Sequence, residues 1–334
     1  MMLIKVGQVG VGHLGERHCA ALQQLNDTEL VGIFDINQEK CKRVASQYKT
    51  LAFNSLSSLL NEADALVIAV PTRHHYEIVR KALEEERHVF VEKPITTYVH
   101  EAEQLVELAE KKQVILQVGH VERFNPAILS LSDQKLEPMF IEAHRLSTFN
   151  PRGTDVAVVL DLMIHDLDII LHFVKSPLVK IDASGVAVIS SEIDIANARL
   201  QFANGCVANV TASRISLKKM RKMRLFQKDA YIGIDFLNRS TEVFRLVNRS
   251  EIRDLNHSLI MEQFSTFSGK NILHQKITNQ DSQINPLKLE LEAFINSIQT
   301  GQPPLVDGKV AMEVLKVANK IIQIIEGQKT HLQS

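Results

Sequence analysis

The sequence predicts two domains, an open α/β domain with a doubly wound parallel sheet and then an α+β domain with antiparallel strands. At 334 residues the chain is longer than one average domain, and each half can bury its own core. Up to about residue 120, short apolar runs alternate with helical stretches, whereas longer segments of alternating apolar and polar residues follow. We therefore predict domains at residues 1–120 and 121–334.

The composition is typical of a globular protein without a nucleic-acid or membrane partner. Apolar residues make up 45% and charged residues 23%, and 38 basic against 39 acidic residues leave a net charge of -1. This balance offers no electrostatic reason to bind nucleic acid or an anionic membrane. We predict a small-molecule ligand instead.

The cysteines and the N-terminus indicate a cytoplasmic protein. Cys19, Cys41 and Cys206 are far apart and include no C-x-x-C pair, which argues against a disulfide framework or a zinc site, and we predict no metal. The opening residues MMLIKVGQVGVG read as a strand entering a glycine turn and lack the features of a signal peptide.

The first domain shows the pattern of a parallel sheet that is covered on both faces. Near-continuous apolar runs occur at LIKVGQV from residue 3, LVGIFD from 30, ALVIAV from 65, HVFVE from 88 and VILQVG from 114. Amphipathic segments separate these runs, as in open α/β folds.

A complete G-x-G-x-x-G motif lies between the first predicted strand and the first helix, at Gly10-Val11-Gly12-His13-Leu14-Gly15. Gly10 permits the tight turn, Gly12 lets backbone N–H groups approach a pyrophosphate, and Gly15 allows the helix to pack closely on the strand. The motif predicts a dinucleotide site.

Asp35 strengthens this prediction and indicates which dinucleotide binds. It ends the second strand, 20 residues after Gly15, where a carboxylate accepts hydrogen bonds from the adenosine ribose and repels a 2'-phosphate. We therefore predict NAD, while Lys40 and Lys42 keep NADP open. A helix cap is the alternative interpretation of Asp35 alone.

Polar clusters follow two further strands, at Pro71-Thr72-Arg73-His74-His75 and at Glu92-Lys93-Pro94. Ligands of open α/β sheets bind beyond the carboxyl ends of the strands, so both loops are expected to border the cofactor. An ion pair and a turn proline are the alternative for the second cluster. A lysine beside a cationic nicotinamide would lose its proton easily and suits acid–base work.

Residues 158–173, VVLDLMIHDLDIILHF, predict a buried helix that carries unexpected polar residues. Asp161 and His165 are four residues apart and share one helix face. Burial of unpaired polar groups is costly, so these side chains are hydrogen-bonded, solvated in a cleft, or both. One alternative is that Asp161 caps the helix and the other polar residues are satisfied within the core.

Together these motifs resemble the glucose-fructose oxidoreductase, inositol dehydrogenase and rhizopine catabolism family (Gfo/Idh/MocA) over nearly the whole chain. The resemblance rests on the glycine motif with Asp35, Pro71 with His75, Glu92-Lys93-Pro94, Gly119-His120-x-x-Arg123-Phe124-Asn125-Pro126, and Asp161-x-x-x-His165-Asp166. It implies a Rossmann domain that binds NAD, and then a substrate-binding domain with a large, mostly antiparallel sheet. Family members usually form oligomers through that sheet, so a homodimer or homotetramer is expected.

The resemblance also implies the site residues. The catalytic lysine falls on Lys93, and the aspartate and histidine that face substrate and nicotinamide fall on Asp161 and His165; Asp166 and Asp168 keep a structural interpretation. Cofactor contacts are predicted for Gly10, Gly12, His13, Leu14, Gly15, Asp35, Pro71, Thr72, His75, Glu92 and Lys93.

The second domain ends in less regular sequence and two helices. Strands are predicted from residues 179, 195 and 206, and helices from 286 and 309. The polar segment at about 250–285 shows no clear period and is interpreted as a long loop or arm.

Two basic sets, in HRLSTFNPRG from residue 144 and in SRISLKKMRKMRLF from residue 213, are candidates for binding an anionic substrate. Guanidinium groups match phosphates in geometry, although a charge run is more often a solvated face. The predicted substrate contacts are Arg123, Asn125, Arg145, Arg152, Arg214 and Arg221.

Within the family, VERFNPA and the segments from 144 to 170 and from 204 to 227 look like the branch that includes UDP-N-acetylglucosamine 3-dehydrogenases. Those enzymes supply a keto sugar for a diamino-sugar lipid A. The resemblance implies that NAD oxidises a sugar secondary alcohol, with the 3-position of a UDP-N-acetylhexosamine as the target. A free-sugar or inositol dehydrogenase, a dinucleotide-sensing regulator without turnover, and a tetrapyrrole or imine reductase remain alternatives.

Overall fold

A computed structural model describes residues 3–150, 156–247, 261–267, 270–278 and 284–332 of the chain. The chain forms two compact units. The first contains Met1–Val121 and Asn285–Lys316, and the second contains Glu122–Ile284 and Val317–Ser334.

The first unit is built on a parallel sheet of six strands within its described residues, in the order β3-β2-β1-β4-β5-β6. The strands are β1 Ile4–Val9, β2 Thr28–Phe34, β3 Leu51–Ala52, β4 Ala65–Ile68, β5 His88–Glu92 and β6 Leu116–Gly119. The predicted doubly wound α/β fold is confirmed. Only β3 was not predicted, because two residues form no recognisable apolar run.

Helices connect these strands and cover the sheet. They are α1 His13–Leu22, α2 Gln38–Gln47, α3 Leu56–Glu62, α4 His75–Glu84, α5 Val99–Lys112 and α8 Pro286–Thr300. The last helix, α9 Gly308–Leu332, contains the division between the two units at Val317.

The first unit also contains residues that were assigned by sequence to the second domain. Leu291, Phe294 and Ile295 of α8 are buried in one cluster with Val67 and Phe90 of the parallel sheet. Because the apolar face of α8 completes this core, residues 285–316 group with the first unit, which differs from the predicted division into 1–120 and 121–334.

The second unit is built on a large sheet of nine strands among its described residues, in the order β14-β15-β13-β12-β11-β7-β10-β9-β8. All neighbours are antiparallel except β7 and β10, which confirms the predicted mostly antiparallel sheet. The strands are β7 Phe140–Leu146, β8 Leu178–Val186, β9 Ile195–Phe202, β10 Val207–Ser213, β11 Met220–Phe226, β12 Ala230–Asp235, β13 Ser240–Val247, β14 Met261–Phe267 and β15 Lys270–Thr278.

The prediction of a loop or arm at about 250–285 is wrong for part of this segment. Met261–Phe267 and Lys270–Thr278 pair as adjacent antiparallel strands, and β15 also pairs with β13. Among the side chains of β15 that the structure describes, Leu273 is buried and the others are partly or fully exposed, so the strand has little of the alternation that identifies a strand in sequence. Residues 251–260 and 279–283 lie outside the described residues.

The predicted helix at 158–173 forms in two parts. Val159–Met163 is a turn of π-helix, and α7 Ile164–Val174 continues from it. A short helix, α6 Pro126–Leu129, precedes the sheet. Within the described residues, no helix combines the length and apolar composition that a membrane span requires.

Candidate active site

The glycine motif forms a tight turn between β1 and α1. Gly10 has φ of 82°, a conformation that favours glycine, and a Cβ atom there would lie 2.6 Å from the backbone oxygen of Ala69. A Cβ atom on Gly15 would lie 2.0 Å from the backbone oxygen of Gly10. By contrast, a Cβ atom on Gly12 would meet no atom within 4 Å. The open space at Gly12 fits a pyrophosphate on the turn.

Asp35 lies beside this turn with its carboxylate held in place. Oδ2 accepts a hydrogen bond from the backbone N–H of Val11 at 2.8 Å, and Oδ1 accepts one from Asn37 at 2.8 Å. The side chain that caps α2 belongs to Asn37, which accepts from the backbone N–H of Lys40. Asp35 is therefore not the helix cap.

A cavity of about 610 Å³ connects these features. Four predicted cofactor residues line it, namely Gly10, Gly12, Asp35 and Pro71, together with Ile36 and Lys40. His13 and Leu14 are exposed in the first turn of α1, and Thr72 is half-buried. The volume lies within the range of small-molecule sites, and the donors at the turn suit a dinucleotide.

His75 joins the two loops that follow β4 and β5. It is buried, and its Nδ1 and Nε2 atoms lie 2.8 Å from the carbonyl oxygen of Pro94 and 2.9 Å from that of Val70. Burial lowers the pKa of His75, while the two carbonyl oxygens and the Glu92 carboxylate act in the opposite direction. Its ring is engaged by the protein, so we revise its predicted cofactor contact to a role in holding these loops.

Glu92 and Lys93 end β5 at the same edge of the sheet. Glu92 is 8% exposed, and its Oε1 atom lies 2.8 Å from Nε2 of His18. Its Oε2 atom accepts a hydrogen bond from the backbone N–H of Lys93 at 3.3 Å. Both carboxylate oxygens are thus engaged within the first unit, whereas the Lys93 side chain is only half-buried.

His18 was not identified by sequence reasoning. It lies on α1, three residues after Gly15, and is fully buried with its ring edge against Phe90. Its position one helical turn beyond the glycine motif was the only available signal, and a lone histidine on a buried helix face is normally read as core.

Asp161 and His165 lie on the helical segment of the second unit. Asp161 is part of the π-helical turn, and His165 lies in the first turn of α7. Both side chains are half-buried, unlike Met163, Ile164 and Asp166 between and beside them. π-Helical turns occur frequently at functional sites.

Asp166 and Asp168 anchor this helix through buried ion pairs. Asp166 accepts hydrogen bonds from Nε and Nη2 of Arg145, each at 2.9 Å, and Nη1 of Arg145 donates to Glu122 at 2.8 Å. Asp168 accepts from Arg123 at 2.6 Å and 2.8 Å. The structural interpretation of both aspartates is confirmed.

These pairs also change the interpretation of several predicted substrate residues. Burial acts against the charge of Arg145, but the carboxylates of Asp166 and Glu122 outweigh it and raise the pKa of Arg145. Arg123 and Arg145 are at most 3% exposed, and Asn125 donates to Glu122 and to the carbonyl oxygen of Phe236. Because their donors are used inside the unit, we revise all three to structural residues.

The remaining predicted arginines divide into three cases. Arg214 is buried, donates to the carbonyl oxygen of Val156, and has its Nε atom 3.9 Å from Asp194, so it is also structural. Arg152 lies outside the described residues. Arg221 has a side chain 45% exposed, with Nη1 3.7 Å from Glu122. Partial burial and the charge of Arg145 lower the pKa of Arg221, and the carboxylate of Asp161 acts in the opposite direction.

Comparisons with known proteins agree with this fold. Residues 4–120 match the model of an oxidoreductase family with an NAD-binding Rossmann fold, and residues 136–231 match the GFO/IDH/MocA C-terminal domain. The chain is 33% identical over 327 residues to UDP-N-acetylglucosamine 3-dehydrogenase from Acidithiobacillus ferrooxidans, with 98% of each protein covered. It is 24% identical to myo-inositol 2-dehydrogenase from Thermotoga maritima, covering 96% of each.

Solved structures give the same result. The structure of the Acidithiobacillus ferrooxidans UDP-N-acetylglucosamine 3-dehydrogenase superimposes with a TM-score of 0.86 at 32% identity, covering 98% of this chain and 99% of that one.

Proposed function

Because the chain belongs to the GFO/IDH/MocA family of NAD-binding oxidoreductases, we propose that it oxidises the 3-hydroxyl of a UDP-N-acetylhexosamine. The similarity over 98% of the chain to a UDP-N-acetylglucosamine 3-dehydrogenase carries this proposal. The product is a 3-keto nucleotide sugar, of the kind that is used to build diamino-sugar lipid A.

The cofactor proposed is NAD rather than NADP. Backbone N–H groups of Val11 and Asn37 hold the Asp35 carboxylate at the rim of the cavity, next to Gly12. A fixed negative charge at this point favours ribose hydroxyls and repels a 2'-phosphate. The bound nicotinamide supplies the hydride acceptor, and the protein supplies binding, orientation and proton transfer.

Three side chains are proposed to act on the sugar. His165 takes the hydroxyl proton as the hydride leaves the carbon, Lys93 polarises the hydroxyl oxygen, and Asp161 orients the sugar through hydrogen bonds. The half-buried state of all three supports these roles, because fully buried groups do not reach a substrate and fully exposed groups do not hold one in place.

Arg221 is the residue proposed to contact the substrate pyrophosphate. Of the predicted arginines within the described residues, Arg221 alone keeps a partly exposed side chain, because Arg123, Arg145 and Arg214 are buried beside carboxylates. The charge of Asp161, a proposed catalytic residue of the same unit, is among those that act on the pKa of Arg221. Arginine suits the oxygens of a diphosphate because of its forked donors.

The large sheet is proposed to mediate a homodimer or homotetramer. Aromatic rings contact one another across neighbouring strands, from Phe140 to Phe226, Tyr231, Phe244 and His274, with centroids 4.0–5.9 Å apart. We name these five residues the aromatic row. Partly exposed aromatic residues are enriched in protein interfaces, which supports an assembly through this face.

Three free, buried cysteines fit a reducing compartment, and we propose the cytoplasm.

A single-turnover absorbance experiment tests the proposed function. Enzyme in excess over UDP-N-acetylglucosamine is mixed with NAD, because alcohol oxidation is unfavourable at neutral pH and multiple turnovers could hide it. The reduced-nicotinamide band is expected with the wild type and with the control Lys111→Met, which alters an exposed lysine of α5. Lys93→Met and His165→Asn are expected to lose it.

Two outcomes would contradict the proposal in different ways. If the wild type binds NAD but shows no band, this substrate is ruled out, and free sugars and inositols are tested next. If the band appears in Lys93→Met at the wild-type rate, the proposed substrate stands but Lys93 does not have its assigned role.

A further inference from the structure

The segment Glu92-Lys93-Pro94 is attached to the first unit at both residues that flank Lys93. Before it, the Glu92 side chain meets His18 of α1, and after it, the Pro94 carbonyl meets His75 of α4. Both histidines are at most 1% exposed. Neither reaches solvent, so neither is placed to bind a ligand directly.

The contact between His18 and Glu92 fixes the side that precedes Lys93. The 2.8 Å distance between Nε2 and Oε1 is that of a strong hydrogen bond, and a buried carboxylate requires such a partner. The other oxygen of Glu92 accepts from the Lys93 backbone N–H, so the position of His18 is transmitted to the Lys93 peptide through one side chain.

There is little free space around this carboxylate. A Cβ atom at Gly119, on the neighbouring strand β6, would lie 3.1 Å from the carboxyl carbon of Glu92. Phe90 of β5 packs on the His18 ring with centroids 5.3 Å apart. Glu92 is thus confined by packing as well as by hydrogen bonds, which limits how far it can rotate.

The His75 ring fixes the side that follows Lys93. One ring nitrogen lies 2.8 Å from the Pro94 oxygen and the other lies 2.9 Å from that of Val70, at the end of the neighbouring strand β4. The neutral ring has a single N–H, so it donates to one of these carbonyl oxygens and packs against the other, between the loop after Lys93 and the loop after β4, which carries Pro71 at the cavity rim.

We infer that His18 and His75 are positioning residues for Lys93, and that together they hold its peptide from both sides. This inference rests on the proposed function, in which Lys93 polarises the reacting oxygen. A displacement of about 1 Å in a catalytic group can cost about 100-fold in rate, so loss of either histidine is expected to slow the chemistry without removing a group that touches substrate.

The experiment measures the single-turnover rate of nicotinamide reduction per NAD-binding site, with NAD and UDP-N-acetylglucosamine. His18→Met removes the donor to Glu92 while keeping a side chain of similar size, whereas His18→Gln can place an amide donor near the position of Nε2. His75→Phe and His75→Gln form the same pair on the other side. His88→Gln is the matched control, because His88 is a partly buried histidine at the opposite end of β5.

The expected rate falls about 100-fold in His18→Met and His75→Phe, and recovers to within about tenfold of wild type in the two glutamine variants. The Kd for NAD stays within about threefold throughout. A purely structural role lowers the thermal midpoint but leaves the rate per binding site unchanged, and this result overturns the inference. Where a histidine variant does not fold, Glu92→Gln carries the test, because its one amide oxygen cannot accept from both His18 and the Lys93 N–H. A folded Glu92→Gln is expected to be slower than the wild type, and a wild-type rate overturns the inference.

Failure of the inference and failure of the proposed function can be told apart. A wild-type rate in Lys93→Met removes the role of Lys93 itself. An inactive Lys93→Met beside histidine variants of wild-type rate keeps the proposed function and rejects the positioning role.

Discussion

Arg145 donates two hydrogen bonds of 2.9 Å to Asp166, the residue that directly follows His165, and both side chains are only 2% exposed. The third contact of Arg145, to Glu122, engages the remaining arm of the guanidinium. The helix α7, which carries the proposed base His165, is thus held by the buried guanidinium of Arg145 between the carboxylates of Asp166 and Glu122.

Arg145→Leu is expected to lower the free energy of unfolding by about 3–5 kcal/mol, because Asp166 and Glu122 remain buried without their cation. Urea denaturation measures this change. Arg80→Gln, which removes exposed pairs with Glu77 and Glu84, is the control and should change stability far less, because solvent screens surface ion pairs. Equal effects in the two variants would show that the buried pair does not anchor the helix.

The different surroundings of Gly12 and Gly15 predict opposite behaviour for their two alanine variants. Gly12→Ala keeps the wild-type melting temperature but raises the Kd for NAD at least about tenfold, because its methyl group occupies the open space at the turn. Gly15→Ala loses about 1–3 kcal/mol of stability, because its methyl group meets the backbone of Gly10. Thermal melts and NAD titrations separate the two. Tight NAD binding by a folded Gly12→Ala contradicts the assignment of the turn.

Asp35→Asn should weaken NAD binding by about tenfold or more, because a charged acceptor is worth about 1.5–3 kcal/mol. The amide oxygen can accept from only one of the two N–H groups of Val11 and Asn37, so part of the loss comes from a looser hold on the side chain itself. Removal of the charge improves the affinity for NADP relative to NAD. Titrations with both cofactors give the ratio, and an unchanged ratio excludes Asp35 as its determinant.

The aromatic row predicts where an assembly can be disrupted. Phe226→Asp puts a charge in the middle of the row and is expected to shift the particle to a smaller mass in light scattering. Leu217→Asp changes a leucine that is 98% exposed in the turn between β10 and β11 and serves as the control. A wild-type monomer, or an assembly that Phe226→Asp leaves intact, removes this face as the interface.

His172 predicts a pH dependence of stability. Burial, and next the charge of Arg123, lower its pKa from 6.5 to about 4. As the pH falls, His172 therefore takes up a proton in the unfolded chain before it does so in the folded protein. The contribution of neutral His172 to the free energy of unfolding is thus complete above pH 6.5 and is lost as the pH falls towards 4. As the pH is lowered from 7.5 to 4.5, the free energy of unfolding of the wild type should fall more than that of His172→Gln. A constant difference across this window contradicts the lowered pKa.

The parallel sheet could be predicted because β1, β2, β4, β5 and β6 are each continuous apolar runs, and runs of this kind reflect local sequence alone. The buried ion pairs of the second unit could not be predicted in this way. Arg123 and Asp168 are 45 residues apart, and only the folded chain shows that each neutralises the other. A buried arginine and a substrate arginine therefore look alike in sequence, which explains why three of the predicted substrate arginines, Arg123, Arg145 and Arg214, lie in internal contacts.

The π-helical turn illustrates a second limit. Spacing alone predicts that Asp161 and His165 lie one helical turn apart, but it does not reveal the wider turn at Val159–Met163. Backbone hydrogen-bond registers of this kind depend on packing, here among fully buried residues such as Val159 and Met163.

The return of α8 to the first unit has a consequence for synthesis on the ribosome. Phe294 contacts the ring of Phe90, and the cluster that contains both also holds residues of β1 and α1. The first strand of this core is translated about 280 residues before its last helix. The nucleotide-binding half of the protein therefore cannot close its core while it emerges, and a nascent chain halted before α8 would display an apolar sheet face to chaperones.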